Sequence, residues 1–348
     1  MTPGERAELL RRWALESGFD RAGVARLAPS QQGPPYLEWL ARGDHAGMEW
    51  MTRRVEERLD PERLLPGARS ALVVALQYAP LVGEGEPEGD LWPRVARYAR
   101  GRDYHDLMNE RLGSLRDRIL EAFPGAGVRR AVDTSPILER ELAARAGLGV
   151  QGKNTMLLSR AGGSYFLLGE LLLTLDLAPD PPIADLCGRC TQCLDHCPTG
   201  ALIAPYRLDS RRCISYWTIE HRGDIPEEIR PELGEWVFGC DICQEVCPWN
   251  RRGPESGDHP ELRLPPERAE LDLIGLLTLS REAYTERFRG TAMKRAKLEG
   301  LKRNAAIAMG NRGDERYREA LVTATTDESP VVAEQARWAL ERLDRPRA

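Results

Sequence analysis

Three apolar runs in the first half of the chain are too short for typical helices and too continuous for surface segments. "SALVVALQYAP" (Ser70–Pro80) lies between Pro66-Gly67 and Pro80 and reads as a buried strand. "GVRRAVDTSP" is a second strand, ending at Asp133. "SYFLLGELLLTLDL" (Ser164–Leu177) is a third block, either two strands or one strand bent at Gly169. Helical patterns separate these runs. "MTPGERAELLRRWALESG" at the start of the chain is amphipathic with mixed charges, and "YHDLMNERLGSLRDRILEAF" is a second helical stretch. Residues 1–185 therefore predict an α/β domain.

The pattern then changes. Residues 186–250 hold every cysteine and predict a separate metal domain. Residues 251–267, "RRGPESGDHPELRLPPE", predict a linker from their proline and glycine content, and the segment at 83–89 predicts a surface loop. Beyond the linker the sequence reads as helix, turn, helix, turn, helix. Asn304-Ala305 and Ala308-Met309 recur as Gln335-Ala336 and Ala339-Leu340, and such small residues permit close helix stacking. The recurrence resembles a short HEAT-like repeat, with a plain helical bundle as the alternative. The expected fold is a mixed α+β and α/β multidomain protein: an α/β domain at 1–185, a ferredoxin-like domain at 186–250, and a linker with helical repeat at 251–348.

A chain of 348 residues is too long for one core, which agrees with several domains. The formal charge of −5 excludes a wholly basic nucleic-acid binder but leaves room for a local basic patch. No stretch approaches the roughly 20 apolar residues of a membrane helix. The N-terminus lacks the basic start and apolar core of a secretory signal. The expectation is a cytoplasmic protein, monomeric and without a membrane partner. Cytosolic thiols stay reduced, so eight cysteines suggest metal before disulfides.

Cys187, Cys190, Cys193 and Cys197 follow C-x2-C-x2-C-x3-C-P, the spacing of bacterial two-cluster ferredoxins. Cys240, Cys243 and Cys247 form a second run with its own proline, and Cys213 supplies its missing first cysteine across a long insertion. In such ferredoxins the fourth cysteine of each run ligates the other cluster. That rule assigns Cys187, Cys190, Cys193 and Cys247 to one [4Fe–4S] cluster and Cys197, Cys213, Cys240 and Cys243 to the other. Two structural zinc sites are the alternative, but zinc usually takes two separated C-x2-C pairs.

Outside the cysteines, three stretches carry candidate chemistry. "AVDTSPILERELAARAGLGVQGKNTMLL" places Asp133 at a strand end, where α/β proteins bind ligands, and follows it with a glycine-rich turn. Asp133 suits an acid catalyst or a helix cap, and the spacing alone favours the cap. "ARYARGRDYHDLM" alternates aromatic and basic residues, and its His105 reads as structural. "RFRGTAMKRAKLEGLKR" carries Arg287, Arg289, Lys294, Arg295, Lys297, Lys302 and Arg303 against the single acid Glu299. Such a patch attracts phosphate backbones, although one solvated helix face is the plainer explanation.

Taken together, "RLDPERLLPGARSALVVALQY", "ARYARGRDYHDLM", "VDTSPILERELAARAGLGVQGKNTMLL", "CGRCTQCLDHCPTGAL", "RCISYWTIEHRGDIP" and "FGCDICQEVCPWN" resemble the epoxyqueuosine reductase family over nearly the whole chain. The resemblance implies a cobalamin-dependent oxidoreductase of tRNA modification with two [4Fe–4S] clusters, related to reductive dehalogenases. Its substrate would be tRNA carrying epoxyqueuosine at the wobble position, and its electrons would come from an unidentified donor. Asp133 matches the family's proposed proton donor, and burial would raise its pKa and keep it protonated. Arg58, Tyr98, Asn154 and Ser215 lie in family-like stretches and are expected at the corrin. The basic stretch is expected to grip tRNA phosphates. The rival functions are a cobalamin reductase of another substrate, such as a dehalogenase, and a non-catalytic electron carrier that binds RNA.

Overall fold

The computed structural model describes residues 1–78, 94–252, 259–265 and 272–345. The 83–89 segment and much of the expected linker lie outside the described residues.

Four strands form one sheet in the order Arg21–Arg26, Ser70–Gln77, Phe166–Leu173, Val128–Ala131. Every pairing is antiparallel, so this domain is α+β rather than a parallel α/β sheet. An apolar run reveals a strand but not its direction, which the connections decide. The strand Arg21–Arg26 was not read from the sequence, because its two arginines and glycine hide the apolar pattern.

All eight residues of Ser70–Gln77 are buried, because the strand is covered on both faces. Leu72, Val74 and Leu76 pack with the helices Pro3–Glu16 and Tyr104–Ala122 through Leu10, Leu107 and Leu112. Ala71, Val73 and Ala75 face the opposite side with Leu142 and Ala143 of the helix Glu139–Arg145. The alternation follows from the two-residue period of a strand. Each fully buried Leu or Val side chain contributes roughly 1.5–3 kcal/mol.

The block from Ser164 contains one unbroken eight-residue strand, with no bend at Gly169. A Cβ at Gly169 would stand 2.8 Å from Met108 Cε and 3.0 Å from Leu112 Cδ1. Glycine therefore serves the close approach of helix to sheet there, not a change of direction.

The expected boundary between metal domain and helical tail is not a break in packing. Ile214, Trp217, Ile225, Trp236 and Phe238, all in the insertion between Cys213 and Cys240, share one core with Leu301, Ala305, Met309 and Val332. The insertion also reaches back to the first domain, since Trp236–Phe238 pairs in parallel with Arg94–Val95. Residues 259–265 of the expected linker are docked too. Leu262 is buried among the helix and sheet residues of the first core, and His259 Nε2 lies 2.9 Å from Asp20 Oδ2. The three predicted tail helices are Lys297–Arg312, Arg318–Ala324 and Pro330–Asp344. A Cβ at Gly310 would stand 2.8 Å from Ala339 Cα, so the first and third helices approach as closely as their small residues allow.

Candidate functional site

The eight cysteines are all free thiols. They fall into two groups. Cys187, Cys190, Cys193 and Cys247 line one cavity with Lys153, Asn154 and Trp249. Cys213 and Cys240 face each other and Cys197 in the second group, and Cys243 faces Cys240 and Cys213. This is the crossed division that ferredoxin spacing predicts. Among the described residues no three His, Cys, Asp or Glu side chains converge tightly enough for a single metal ion.

The two groups differ in depth. Cys190 is exposed, whereas burial pushes the Cys243 thiol well above its ordinary pKa. Burial likewise pushes Cys193 up to about 11. Cluster iron must displace the proton of a buried thiol as it binds.

The glycine-rich turn serves this region. Its hairpin, Val150–Gln151 with Leu157–Leu158, carries Lys153 and Asn154 to the thiols. The Lys153 backbone N–H points at Cys187 Sγ at 3.4 Å, and its Nζ donates to the Gly188 and Cys190 carbonyls at 2.7 and 2.9 Å. Asn154 is buried and donates to the Cys243 carbonyl at 3.3 Å. Ser215, through its N–H and hydroxyl, and the Tyr216 N–H are directed at the Cys213 sulfur. Asn154 and Ser215 therefore stand at the thiol groups. N–H···S bonds of this kind tune cluster potentials.

Asp133 sits two residues beyond the strand Val128–Ala131, in a left-handed conformation with φ 39°. Non-glycine residues seldom adopt that region, and it turns this side chain out of the sheet. The side chain is half exposed, not buried. Its Oδ2 lies 3.0 Å from His105 Nε2, and His105 Nδ1 lies 2.8 Å from Asp103 Oδ1. Asp103 also caps the helix Tyr104–Ala122. The expectation of a carboxyl kept protonated by burial is therefore corrected. Burial does push Asp133 up, but hydrogen bonds and charge from His105, with help from Tyr104 and Arg140, outweigh it and leave the pKa below the ordinary value. Burial opposes charge on His105 too, yet Asp103 and Asp133 raise it to about 9. At neutral pH the pair is carboxylate and imidazolium. His105 is the residue at this site that the sequence undervalued. The only available signal was its place in the first turn of a helix capped by an aspartate.

Around this pair, the Tyr104 ring stacks on His105 with centroids 4.1 Å apart. Tyr98 meets Tyr104 edge to face at 5.9 Å, and burial followed by the Asp133 charge pushes its hydroxyl pKa upward. Arg295 feels the charges of Asp133 and Tyr104. It pairs with Glu220 at 2.8 Å and lies over the Trp50 ring at 4.8 Å. Arg58 is buried, its Nη2 3.5 Å from the Trp50 carbonyl and its Nε without a partner among the described residues.

The basic stretch is not one helix face. Arg287 ends the helix Arg281–Arg287, Lys294 and Arg295 lie on a short 3-10 turn, and Lys297 opens the next helix with φ 65°. These four and Arg289 are exposed. Lys302 is partly buried and paired with Asp327. Arg303 is 1% exposed and donates to the carbonyls of Trp217, His221 and Gly223 at 2.7–3.2 Å. Arg303 is therefore corrected from a phosphate contact to an internal clamp, because its guanidinium replaces missing backbone partners at the end of the Tyr216–Glu220 turn.

Two four-thiol groups, together with a charged acid–imidazole pair, define the class: an iron–sulfur oxidoreductase. Residues 186–250 match the "4Fe-4S double cluster binding domain", and residues 58–134 match "Epoxyqueuosine reductase QueG, DUF1730". The chain is 41% identical to the epoxyqueuosine reductase of Xanthomonas campestris, over 97% of this chain and 96% of that protein. The chain belongs to the epoxyqueuosine reductase family. A solved epoxyqueuosine reductase with an epoxyqueuosine-modified tRNA-Tyr stem loop matches at TM-score 0.88 and 33% identity, covering 98% of this chain and 91% of that one. The Bacillus subtilis epoxyqueuosine reductase, described with a catalytic aspartate loop swung out of its active site, matches at TM-score 0.89 and 31% identity, covering 98% and 91%.

Proposed function

We propose that the chain reduces epoxyqueuosine in tRNA to queuosine. The epoxide oxygen leaves as water, and the reaction consumes two electrons and two protons. The observation that carries this reading is the pairing of two four-thiol groups with Asp133–His105 in one packed body. The clusters accept single electrons, and the His105 imidazolium holds a proton at Asp133. Cys187, Cys190, Cys193 and Cys247 would ligate the outer cluster, with Cys190 at the surface, where an electron donor would dock. Cys197, Cys213, Cys240 and Cys243 would ligate the inner one.

Cobalamin fits the residues present. Arg58 Nε is a buried donor without a partner among the described residues, linked through Trp50 and Arg295 to the Asp133 site, and the periphery of a corrin is rich in amide acceptors. When bound, the cofactor supplies a low-potential two-electron nucleophile. Arg58 and Tyr98 would help hold it. Asp133 would face the epoxide oxygen, and His105 would hold a proton at Asp133 Oδ2 for transfer to that oxygen. Asp103 fixes the His105 ring through Nδ1.

Arg287, Arg289, Lys294, Arg295 and Lys297 would contact tRNA phosphates. The helices behind them would act as a HEAT-like support. Among the described residues no helix is long and apolar enough to cross a membrane, which suits a cytoplasmic tRNA enzyme. The test is anaerobic reconstitution with iron, sulfide and cobalamin, followed by assay on an epoxyqueuosine-containing stem loop. Queuosine should form, and Asp133→Asn should slow it by about 10²–10⁴-fold with both clusters retained. No product from the wild-type protein would overturn the reaction, whereas near-normal turnover of Asp133→Asn would overturn only the role of Asp133.

A further inference from the structure

The centre of the sheet contains a charge-bearing side chain that the mechanism above does not use. Glu170 is fully buried in the strand Phe166–Leu173, and among the described residues neither carboxyl oxygen has a hydrogen-bond partner. In register it stands directly opposite Ala131, two residues before Asp133. Alternation puts Glu170 on the same face as Leu168 and Leu172, which pack against Leu142 and Ala143 of the helix Glu139–Arg145. That helix begins at Glu139, whose carboxylate accepts the backbone N–H of Asp133. Glu170, Glu139 and Asp133 thus form a row of acids running from the dry interior of the sheet to the half-exposed site.

We propose that Glu139 and Glu170 form an internal proton reserve that reloads Asp133. The proposal rests on the reductase reaction assigned above and deepens it. That reaction needs two protons at one oxygen. Asp133, loaded from His105, gives the first as the C–O bond opens. The Glu139 carboxylic acid then passes its proton to the Asp133 carboxylate, which delivers it to the departing hydroxyl, and water is released. Glu139 is left as a carboxylate and regains a proton from Glu170 or solvent. The electrons come from the clusters, so the reserve moves protons only.

The electrostatics agree with the geometry. Burial raises Glu139 to about 7, and the Asp133 charge pushes the same way, against Arg140, the Asp133 N–H and His105. Tyr104 also faces Glu139. Burial lifts Glu170 well above the carboxyl range, with Glu139 and Asp133 adding to the shift. An unpaired carboxylate is strongly disfavoured in a dry interior, so a neutral acid is the state this pocket selects.

The test uses the chain loaded with both clusters and cobalamin, and two readouts. Infrared spectra in H2O and D2O, taken below and above about pH 7, should show a protonated carboxylic-acid band. Glu170→Gln should remove its persistent part and Glu139→Gln the part that titrates. Single-turnover assays should show Glu139→Gln slowed about tenfold on the alkaline side, with its pH profile displaced and partial rescue by Glu139→Asp. Unchanged iron content checks that the variants fold. Absence of the acid band in the wild type overturns the proposal, as do variants that match the wild-type rate and pH profile. An inactive wild type would instead overturn the underlying reaction, and the infrared band would show that separately.

Discussion

His105 Nε2 and Asp133 Oδ2 lie 3.0 Å apart, joining a helix and a strand end that are 28 residues distant in sequence. The contact determines the resting protonation of the site. His105 is raised to about 9 by Asp103 and Asp133 against the effect of burial. Its stabilising contribution is therefore complete below the unfolded value of about 6.5 and is lost as pH rises through about 9. Melting temperatures across that window should fall more for the wild type than for His105→Asn. Equal slopes would show that the pair is not charged in the folded state.

Glu139 supplies a second, separable pH dependence. Its folded pKa of about 7 exceeds the ordinary value of 4.5, so folding favours the protonated form. Stability from this group is complete below 4.5 and is lost as pH rises to about 7. Glu139→Gln should flatten the melting curve between mildly acidic and neutral pH. A wild-type slope that survives the substitution would place the titration elsewhere.

The crossed thiol groups predict which variants share a phenotype. Cys247→Ser should lose the same cluster signal as Cys190→Ser, although 57 residues separate them, and Cys197→Ser should match Cys243→Ser. Each variant should retain about four of the eight irons. Iron analysis with electron paramagnetic resonance distinguishes the pairs. Cys197→Ser behaving like Cys190→Ser would mean that each run ligates its own cluster.

Arg303 and Arg289 should behave oppositely. Arg303→Ala leaves three carbonyls without their donor and should cost about 3 kcal/mol of stability, read from denaturant unfolding. Reversing Arg287, Arg289 and Lys294 to Glu should leave stability nearly unchanged. It should weaken tRNA binding and flatten its dependence on salt. Binding titrations at several salt concentrations check this, and an unaltered slope would remove these residues from the interface.

Cysteine spacing, strand runs and helical periods are local properties, and they were legible in the chain alone. The C-x2-C-x2-C-x3-C-P run identified the cluster domain because three thiolates must wrap one cluster within a few residues. The Ser70 and Ser164 strands and the three tail helices were equally visible, since burial fixes their apolar periods. Strand direction was not, nor was the fusion of the Cys213–Cys240 insertion with the tail helices into one core. The sequence presented Arg303 as one more positive charge, and its burial among backbone carbonyls appeared only when a distant turn closed over it. His105 and Glu170 show the same limit. One was an isolated histidine and the other a single acid in an apolar run, until folding set both beside the Asp133 region. Charge state depends on solvent exposure and on neighbours within a few ångströms, and only tertiary structure supplies those.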